Sequence, residues 1–391
     1  MFRPASKRPR TDRINSLSGR TKRMTRESVH DAVRNVATRS RNKWRRKSVA
    51  FVAAGLLALP LASAAGAATT AKASKVTLVL YNGQHQQTTD VLVQGFEAAY
   101  RNISVSVRND DEDTFDDQIV QEGSRSPADL IYTENAPALA FLEQRGLLAK
   151  VNASTLTKTP SKYSSPKGDW VAVSARVSVI IYNPSLIKKS ALPTTVLGLG
   201  DSKYKGKLAI AAGETDFQPI VTAVDKAYGK TKTLAWLSAI KQNAGDGHTY
   251  PDNETIAAEV NRGQVAFGVV NQYYWYRMQA EIGKSNMHSA IAYFAPGNPG
   301  YVVDVSGAGI LKSSKHQGAA QEFLAFLVSK AGQEIIGTPS KSISFEYPIA
   351  SGVTTKAPEA PFNQLRPYPI SIAELGTGET AIGLLREEQL L

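Results

Sequence analysis

Two adjacent tyrosines, Tyr273 and Tyr274, lie in the stretch Asn271-Gln272-Tyr273-Tyr274-Trp275-Tyr276-Arg277, directly after an apolar run at 265–270. The run reads as a buried strand, and the stretch opens a helical pattern extending to about Gly283. Within a strand, neighbouring side chains point to opposite faces. At a strand-to-helix junction that alternation ends, so both phenols can converge on one point in front of a sheet. Oxygen donors converging there suit a hard cation. A second reading, in which aromatics at such a junction simply pack, stands beside it. Two further donors, His85 and Glu134, follow shorter apolar runs. Each also has a plainer role, as a loop hydrogen-bonder and as a helix-start carboxylate satisfied by backbone N–H groups.

The elements that must position these groups alternate along the chain. Residues 76–81 read as a strand ending in the loop Asn82-Gly83-Gln84-His85. Thr88 or Thr89 then caps a helix to Tyr100, with Val91, Leu92, Phe96 and Ala99 on one face. A strand at 103–108, an acidic loop at 109–113, a helix at 115–121 and a short buried strand at 130–132 follow. This alternation predicts a doubly wound, mainly parallel sheet. In such sheets ligands sit beyond the carboxyl ends of the strands, where His85 and Glu134 fall. Runs at 170–174 and 177–182 flank Ala175-Arg176 and are placed to cross between two lobes as a hinge. Later come a strand at 207–212, the loop Gly213-Glu214-Thr215-Asp216, and helices at 217–228, 234–243 and 253–261. Strand-like segments at 301–305 and 309–311 lead back to the first lobe, and helices at 316–328, 331–336 and 380–389 follow.

The chain has 391 residues and a net charge of +12, which would favour nucleic acid if it were spread over a folded domain. Residues 1–74, however, hold 17 Lys/Arg and 3 Asp/Glu, and the remaining 29 basic and 31 acidic side chains leave a net of −2. Nucleic-acid binding therefore loses its support. The leader reads as a secretory signal: a basic run at 39–47, an apolar stretch at 49–61 and small residues at 62–68. Cleavage after Ala64 or Ala67 is expected, with Met24 as an alternative initiator and an uncleaved anchor as the other fate of the segment. There is no cysteine, which excludes disulfides, thiolate metal sites and a cysteine-linked lipid. A mature chain of about 320 residues exceeds what one core usually serves, so two lobes are expected.

Five segments in order carry a resemblance. They are Tyr81-Asn82-Gly83-Gln84-His85, Ser126-Pro127-Ala128-Asp129 with Tyr132-Thr133-Glu134-Asn135, the tyrosine stretch, Asp304-Val305-Ser306-Gly307-Ala308, and Glu346-Tyr347-Pro348. Together they resemble the periplasmic ferric-ion-binding proteins of bacterial iron ABC transporters, over nearly the whole chain from Lys75 onward. The resemblance implies a two-lobed periplasmic-binding-protein (Venus flytrap) fold of the transferrin-like class. Its N-terminal lobe would comprise residues 75–175 plus about 303–350, and its C-terminal lobe residues 176–302 plus about 351–391. It implies Fe³⁺ held by His85, Glu134, Tyr273 and Tyr274, with a small synergistic anion, carbonate or phosphate, near Asn271, Asn253 and Asn135; Arg176 reads from its place between two strands either as a salt-bridge partner across the hinge or as a further holder of that anion. It further implies an extracytoplasmic monomer, without enzymatic activity, that delivers iron to the permease and ATPase of an uptake system.

The chemistry of the residues agrees. Fe³⁺ prefers anionic oxygen donors, and a trivalent ion displaces phenol protons as metals displace those of other ligands. Glu134 and two phenolates balance three positive charges. One feature departs from the family pattern: Glu214 and Asp216 occupy a loop that is small and neutral in its best-known members. Carboxylates there repel phosphate and compete for the helix N-terminal donors. This makes carbonate or water as good a partner, and neither Glu214 nor Asp216 is expected to bind the metal. Two other functions fit parts of the pattern, a binding protein for an organic solute and a phenolate-iron enzyme. Such ring-cleaving enzymes use two histidines, and one is on offer here. No phosphate loop, His-Glu-x-x-His or nucleophile elbow occurs.

Overall fold

A computed structural model describes residues 75–391. The expected signal segment and its cleavage site lie outside the described residues. Among the described residues nine strands join in one sheet, seven of them along a single path. They are β1 (Val76–Asn82), β2 (Ile103–Asn109), β3 (Leu130–Thr133), β4 (Trp170–Tyr182), β5 (Leu208–Ala209), β6 (Phe267–Asn271), β7 (Ala290–Ala292), β8 (Val303–Ile310) and β9 (Tyr347–Pro348). The order is β2-β1-β3-β8-β4-β6-β5, with β7 and β9 attached to β4. The helices of seven or more residues are α1 (Gln86–Ala99), α2 (Glu112–Glu122), α3 (Ala136–Gln144), α4 (Gln218–Tyr228), α5 (Lys230–Ala244), α6 (Asn253–Arg262), α7 (Gln272–Ile282), α8 (Gln317–Leu327), α9 (Lys330–Ile336) and α10 (Glu379–Glu387).

The expected α/β alternation is present, but the sheet is mixed rather than mainly parallel. Parallel pairing is confined to β2-β1-β3 and to β5-β6. β4 and β8 run antiparallel to each other through the middle, and β8 also meets β3 antiparallel. Parallel neighbours need a long crossover. β4 carries the chain out of the first half and β8 returns it directly, so the two strands oppose.

β4 is also one strand where two runs were expected. All thirteen of its residues are buried, and only a register shift between Ala172 and Ser174 interrupts it. It pairs with β8 through Trp170–Val177 and with β6 from Ser178 to Tyr182. Burial on both faces explains why its sequence lacks a clean alternation. β8 is likewise continuous across Ser306-Gly307-Ala308. A Cβ at Gly307 would lie 2.6 Å from Leu139 Cδ1, so glycine lets α3 lie against the strand. α2 begins at Glu112, three residues before the expected start, because Asp111 takes the N-cap position and Glu112 and Asp113 suit the positive helix end.

Period-two alternation divides β1 between two layers. Leu78 and Leu80 join Leu92, Phe96, Phe323 and Leu327 under α1 and α8. Tyr81 faces the other way, onto Phe115 and Ile131. Around β5 and β6, Val221, Leu237, Ile240, Ile256 and Val260 from α4, α5 and α6 enclose Phe267. The loops after β1, β3 and β6 thus carry His85, Glu134 and the two tyrosines. Among the described residues no helix is long and apolar enough to cross a membrane.

Candidate metal centre

The loop after β1 passes so close to α2 that a Cβ at Gly83 would sit 2.7 Å from Glu112 Cβ. This close approach sets the buried Gln84 beside His85. Gln84 Oε1 accepts from the His85 backbone N–H at 2.7 Å, which fixes the orientation of the amide, and it lies 2.8 Å from His85 Nδ1. Its Nε2 donates to the Ser306 hydroxyl and to Glu346 at 3.3 Å. With Oε1 facing it, Nδ1 carries the proton and Nε2 keeps a lone pair, the arrangement that metal-binding histidines use. Nε2 lies 3.5 Å from Glu254 Oε1, two acceptors that need a proton or a cation between them.

Glu134 follows β3, and Glu112 holds its backbone. The Glu112 carboxylate accepts the N–H groups of Glu134 and Asn135 at 2.7 and 2.9 Å. The Asn135 amide donates to Glu112 and to Thr215, both at 3.0 Å, so it bridges two loops. The Glu134 side chain is 14% exposed and lies 3.2 Å from His85 Nδ1 and 3.6 Å from Arg176 Nη2.

Tyr273 and Tyr274 occupy the first turn of α7, with ring centroids 4.2 Å apart. The strand-to-helix junction turns both hydroxyls to one place. The Tyr273 hydroxyl donates to Glu134 and lies 3.3 Å from Asp216 Oδ2, while that of Tyr274 donates to the same Oδ2 at 3.0 Å. Asn253, at the start of α6, donates to Asp216 Oδ2 at 3.1 Å. Asn271 sits buried at the N-cap position of α7 without a side-chain cap bond. Arg176, on β4, is fully buried, and its Nη2 lies 3.1 Å from Glu346 Oε1 and 3.2 Å from the Ser306 hydroxyl. Its Nε and Nη1 are buried without partners.

His85, Glu134, Tyr273 and Tyr274 are therefore brought together from three sheet-edge loops. Asp216, which the sequence did not lead us to expect as a metal ligand, lies beside both phenol hydroxyls, and Gln84 and Glu112 orient the loops. An octahedral shell with bonds of about 2 Å has edges of about 2.8 Å, close to the phenol–carboxylate separations. Among the described residues no group of three or more His, Asp or Glu side chains alone can hold an ion, so a cation here depends on the phenols.

A model of the bacterial extracellular solute-binding proteins matches residues 82–334. The chain belongs to that family. This solute-binding protein is 36% identical over 314 residues to the Fe(3+)-binding periplasmic protein of Serratia marcescens, covering 80% of this chain and 90% of the relative. It superposes on iron-bound HitA from Pseudomonas aeruginosa with a TM-score of 0.75 at 36% identity, covering 80% of this chain and 99% of that one. A Trichodesmium protein (IdiA, FutA) in complex with iron and citrate ligands gives 0.69 at 25%, covering 80% and 99%. These neighbours share the two-lobed architecture.

Electrostatically, the cleft of this solute-binding protein is short of positive charge. Burial pushes Glu134 up to about 7, with Asp216 adding to the rise and His85 and Arg176 opposing it. Burial, then Asp216 and Glu134, push Glu214 up to about 9. Burial, with Asp216 and Glu134 again, holds both phenols well above the usual tyrosine range. A bound multivalent cation inverts this order by stabilising every anionic form. His85, Glu134, Glu214, Glu254 and Tyr274 border a cavity of about 300 Å³.

Proposed function

We propose that this protein captures ferric iron between its lobes and delivers it to the permease and ATPase of an ABC transporter. Tyr273, Tyr274, Glu134, His85 and Asp216 are the ligands. The observation that carries the reading is the meeting of two phenol hydroxyls and a carboxylate at Asp216 Oδ2, beside Glu134. The names of the relatives, an Fe(3+)-binding periplasmic protein and an iron-bound structure, support the same cargo. The protein acts outside the cytoplasmic membrane, as a monomer and as a binder rather than an enzyme. Residues 75–175 with about 303–350 make one lobe, and residues 176–302 with about 351–391 the other.

Including Asp216 changes the charge count. Two phenolates, Glu134 and Asp216 bring four negative charges to three positive ones, and Arg176 is already paired with Glu346 at 3.1 Å, so the cluster keeps a net negative charge. An added carbonate or phosphate is then unnecessary for charge balance, and water completes the shell. The Trichodesmium neighbour holds citrate with its iron, and the buried, unpartnered Arg176 Nε and Nη1 are the donors an anion would take here. Absorption spectroscopy tests the assignment. The iron-loaded protein should be orange to red from phenolate-to-iron charge transfer, and Tyr273→Phe should weaken the band and the affinity. Uptake of ferric iron with no visible band would sink the proposal.

A further inference from the structure

A second cavity, of about 460 Å³, opens between α2, α3, α4 and α10. Glu112, Asp113, Asp116 and Asp117 line it from one face of α2, and Glu379 lines it from α10. Phe141 and Ile382 supply apolar lining, with the Arg145 guanidinium 3.4 Å over the Phe141 ring, and Arg386 is exposed at the edge. Several of these carboxylates already have partners. Glu112 holds the backbone of Glu134 and Asn135, and Glu379 pairs with Arg145 at 3.3 Å and accepts from Thr377 at 2.9 Å. Asp116 differs: it is 5% exposed, and its Oδ1 is buried without a hydrogen-bond partner. A buried carboxylate left in that state costs free energy unless an ion or a donor joins it. Burial and the neighbouring carboxylates also push Asp116 well above its ordinary range, although Arg145 opposes them.

Two kinds of cation would relieve this. A metal ion needs several oxygen atoms converging on one point. Among the described residues no group of three or more carboxylates or histidines is so placed. The volume, and the presence of apolar lining opposite the acidic face, instead match the size and lining of small-molecule sites. We propose that this cavity binds a small organic cation, a primary ammonium on a short aliphatic chain. The ammonium sits against Asp116, with Asp113 and Asp117 beside it, and the chain lies along Phe141 and Ile382. None of the proposed iron ligands lines this cavity, although Glu112 and Asp113 border both, and its test does not require iron to bind.

Calorimetric titration of the full chain with 1,5-diaminopentane, against sodium chloride at matched ionic strength, tests the proposal. One saturable site per chain is expected, weakened at least about tenfold by Asp116→Asn through loss of a charge-assisted hydrogen bond. Ile382→Trp, which fills the apolar side, should abolish binding while leaving the circular dichroism spectrum unchanged, and it decides the matter if Asp116→Asn does not fold. Heats equal to those of sodium chloride would overturn the proposal. So would unaltered binding in either folded variant, or stoichiometric calcium binding that displaces the diamine.

Discussion

The Oδ2 atom of Asp216 lies 3.0 Å from the Tyr274 hydroxyl, which donates to it from the first turn of α7. The Tyr273 hydroxyl and the Asn253 amide reach the same oxygen at 3.3 and 3.1 Å. Asp216 Oδ2 accepts from Tyr274 and Asn253 while the Tyr273 proton goes to Glu134, and a trivalent ion competes for this position by replacing the two phenol protons.

Asp216→Asn keeps the shape of this group and removes one negative charge. Wild-type protein loaded in carbonate-depleted, phosphate-free buffer should match its affinity in carbonate within about twofold, since four anionic donors already exceed the charge of the ion. The variant should bind at least about tenfold more weakly and recover part of the loss with carbonate. Competitive titration against citrate reads both. Equal anion dependence in the two proteins would show that Asp216 is not a ligand.

Gln84 touches no phenol, yet it holds His85 by two contacts of 2.7 and 2.8 Å. Gln84→Ala frees the ring to take either tautomer and orientation, and a loss of about 10- to 100-fold in iron affinity is expected for such a supporting residue. Gln84→Glu should retain more of the affinity, because its carboxylate still accepts from Nδ1. Proton resonances of the His85 ring in the iron-free protein provide the independent readout, and an unchanged tautomer in Gln84→Ala would argue against this role.

Asp304 gives a pH signature away from the ligands. Burial holds it up to about 7, even with Arg176 and the Val305 N–H opposing the rise. Against an unfolded value of about 3.9, the folded protein binds the extra proton between the two values. Stability from this group is therefore fully present below about pH 4 and is lost as pH rises through 7. Asp304→Asn should flatten that part of the profile and stabilise the iron-free protein by about 1–2 kcal/mol at pH 8 relative to wild type. Urea unfolding across the range measures it, and parallel profiles for the two proteins would refute the account.

Iron that binds only the folded chain must stabilise it. At free iron about 100 times the dissociation constant the gain is about 2.7 kcal/mol. A chelated ferric source should raise the melting temperature of wild type, and a strong chelator should reverse the rise. In Tyr273→Phe with Tyr274→Phe the shift should vanish; an undiminished shift would place the iron elsewhere.

The fold was legible where physics is local. The apolar runs of β1, β3 and β6 and the caps around them mark the three loops, and those loops do bring His85, Glu134, Tyr273 and Tyr274 together. The start of α2 was misplaced because acidic residues read equally well as a loop and as a first helical turn. β4 looked like two runs because its interior holds Ser174 and Arg176, whose partners Glu346 and Ser306 lie far along the chain. The position of Asp216 beside the phenols is not legible for the same reason. A carboxylate ahead of a helix resembles an ordinary N-terminal acid, and only the tertiary approach of α7 gives it two phenols. Gln84 had one local signal, its place beside a candidate histidine, but its other contacts are with Ser306 and Glu346, 222 and 262 residues away.

The unbroken course of β4 has a mechanical consequence. One backbone bonds first to β8 and then to β6, changing partners between Val177 and Ser178. Parting Glu134 from Tyr273 cannot occur as a slide between independent bodies, because both halves of the sheet are built on this one strand. The motion has to be absorbed as torsion along a strand whose residues are all buried. Arg176 sits one residue before the change of partner, with its guanidinium beside Glu134. Arg176 thus lies on the one stretch of backbone that both halves of the sheet share.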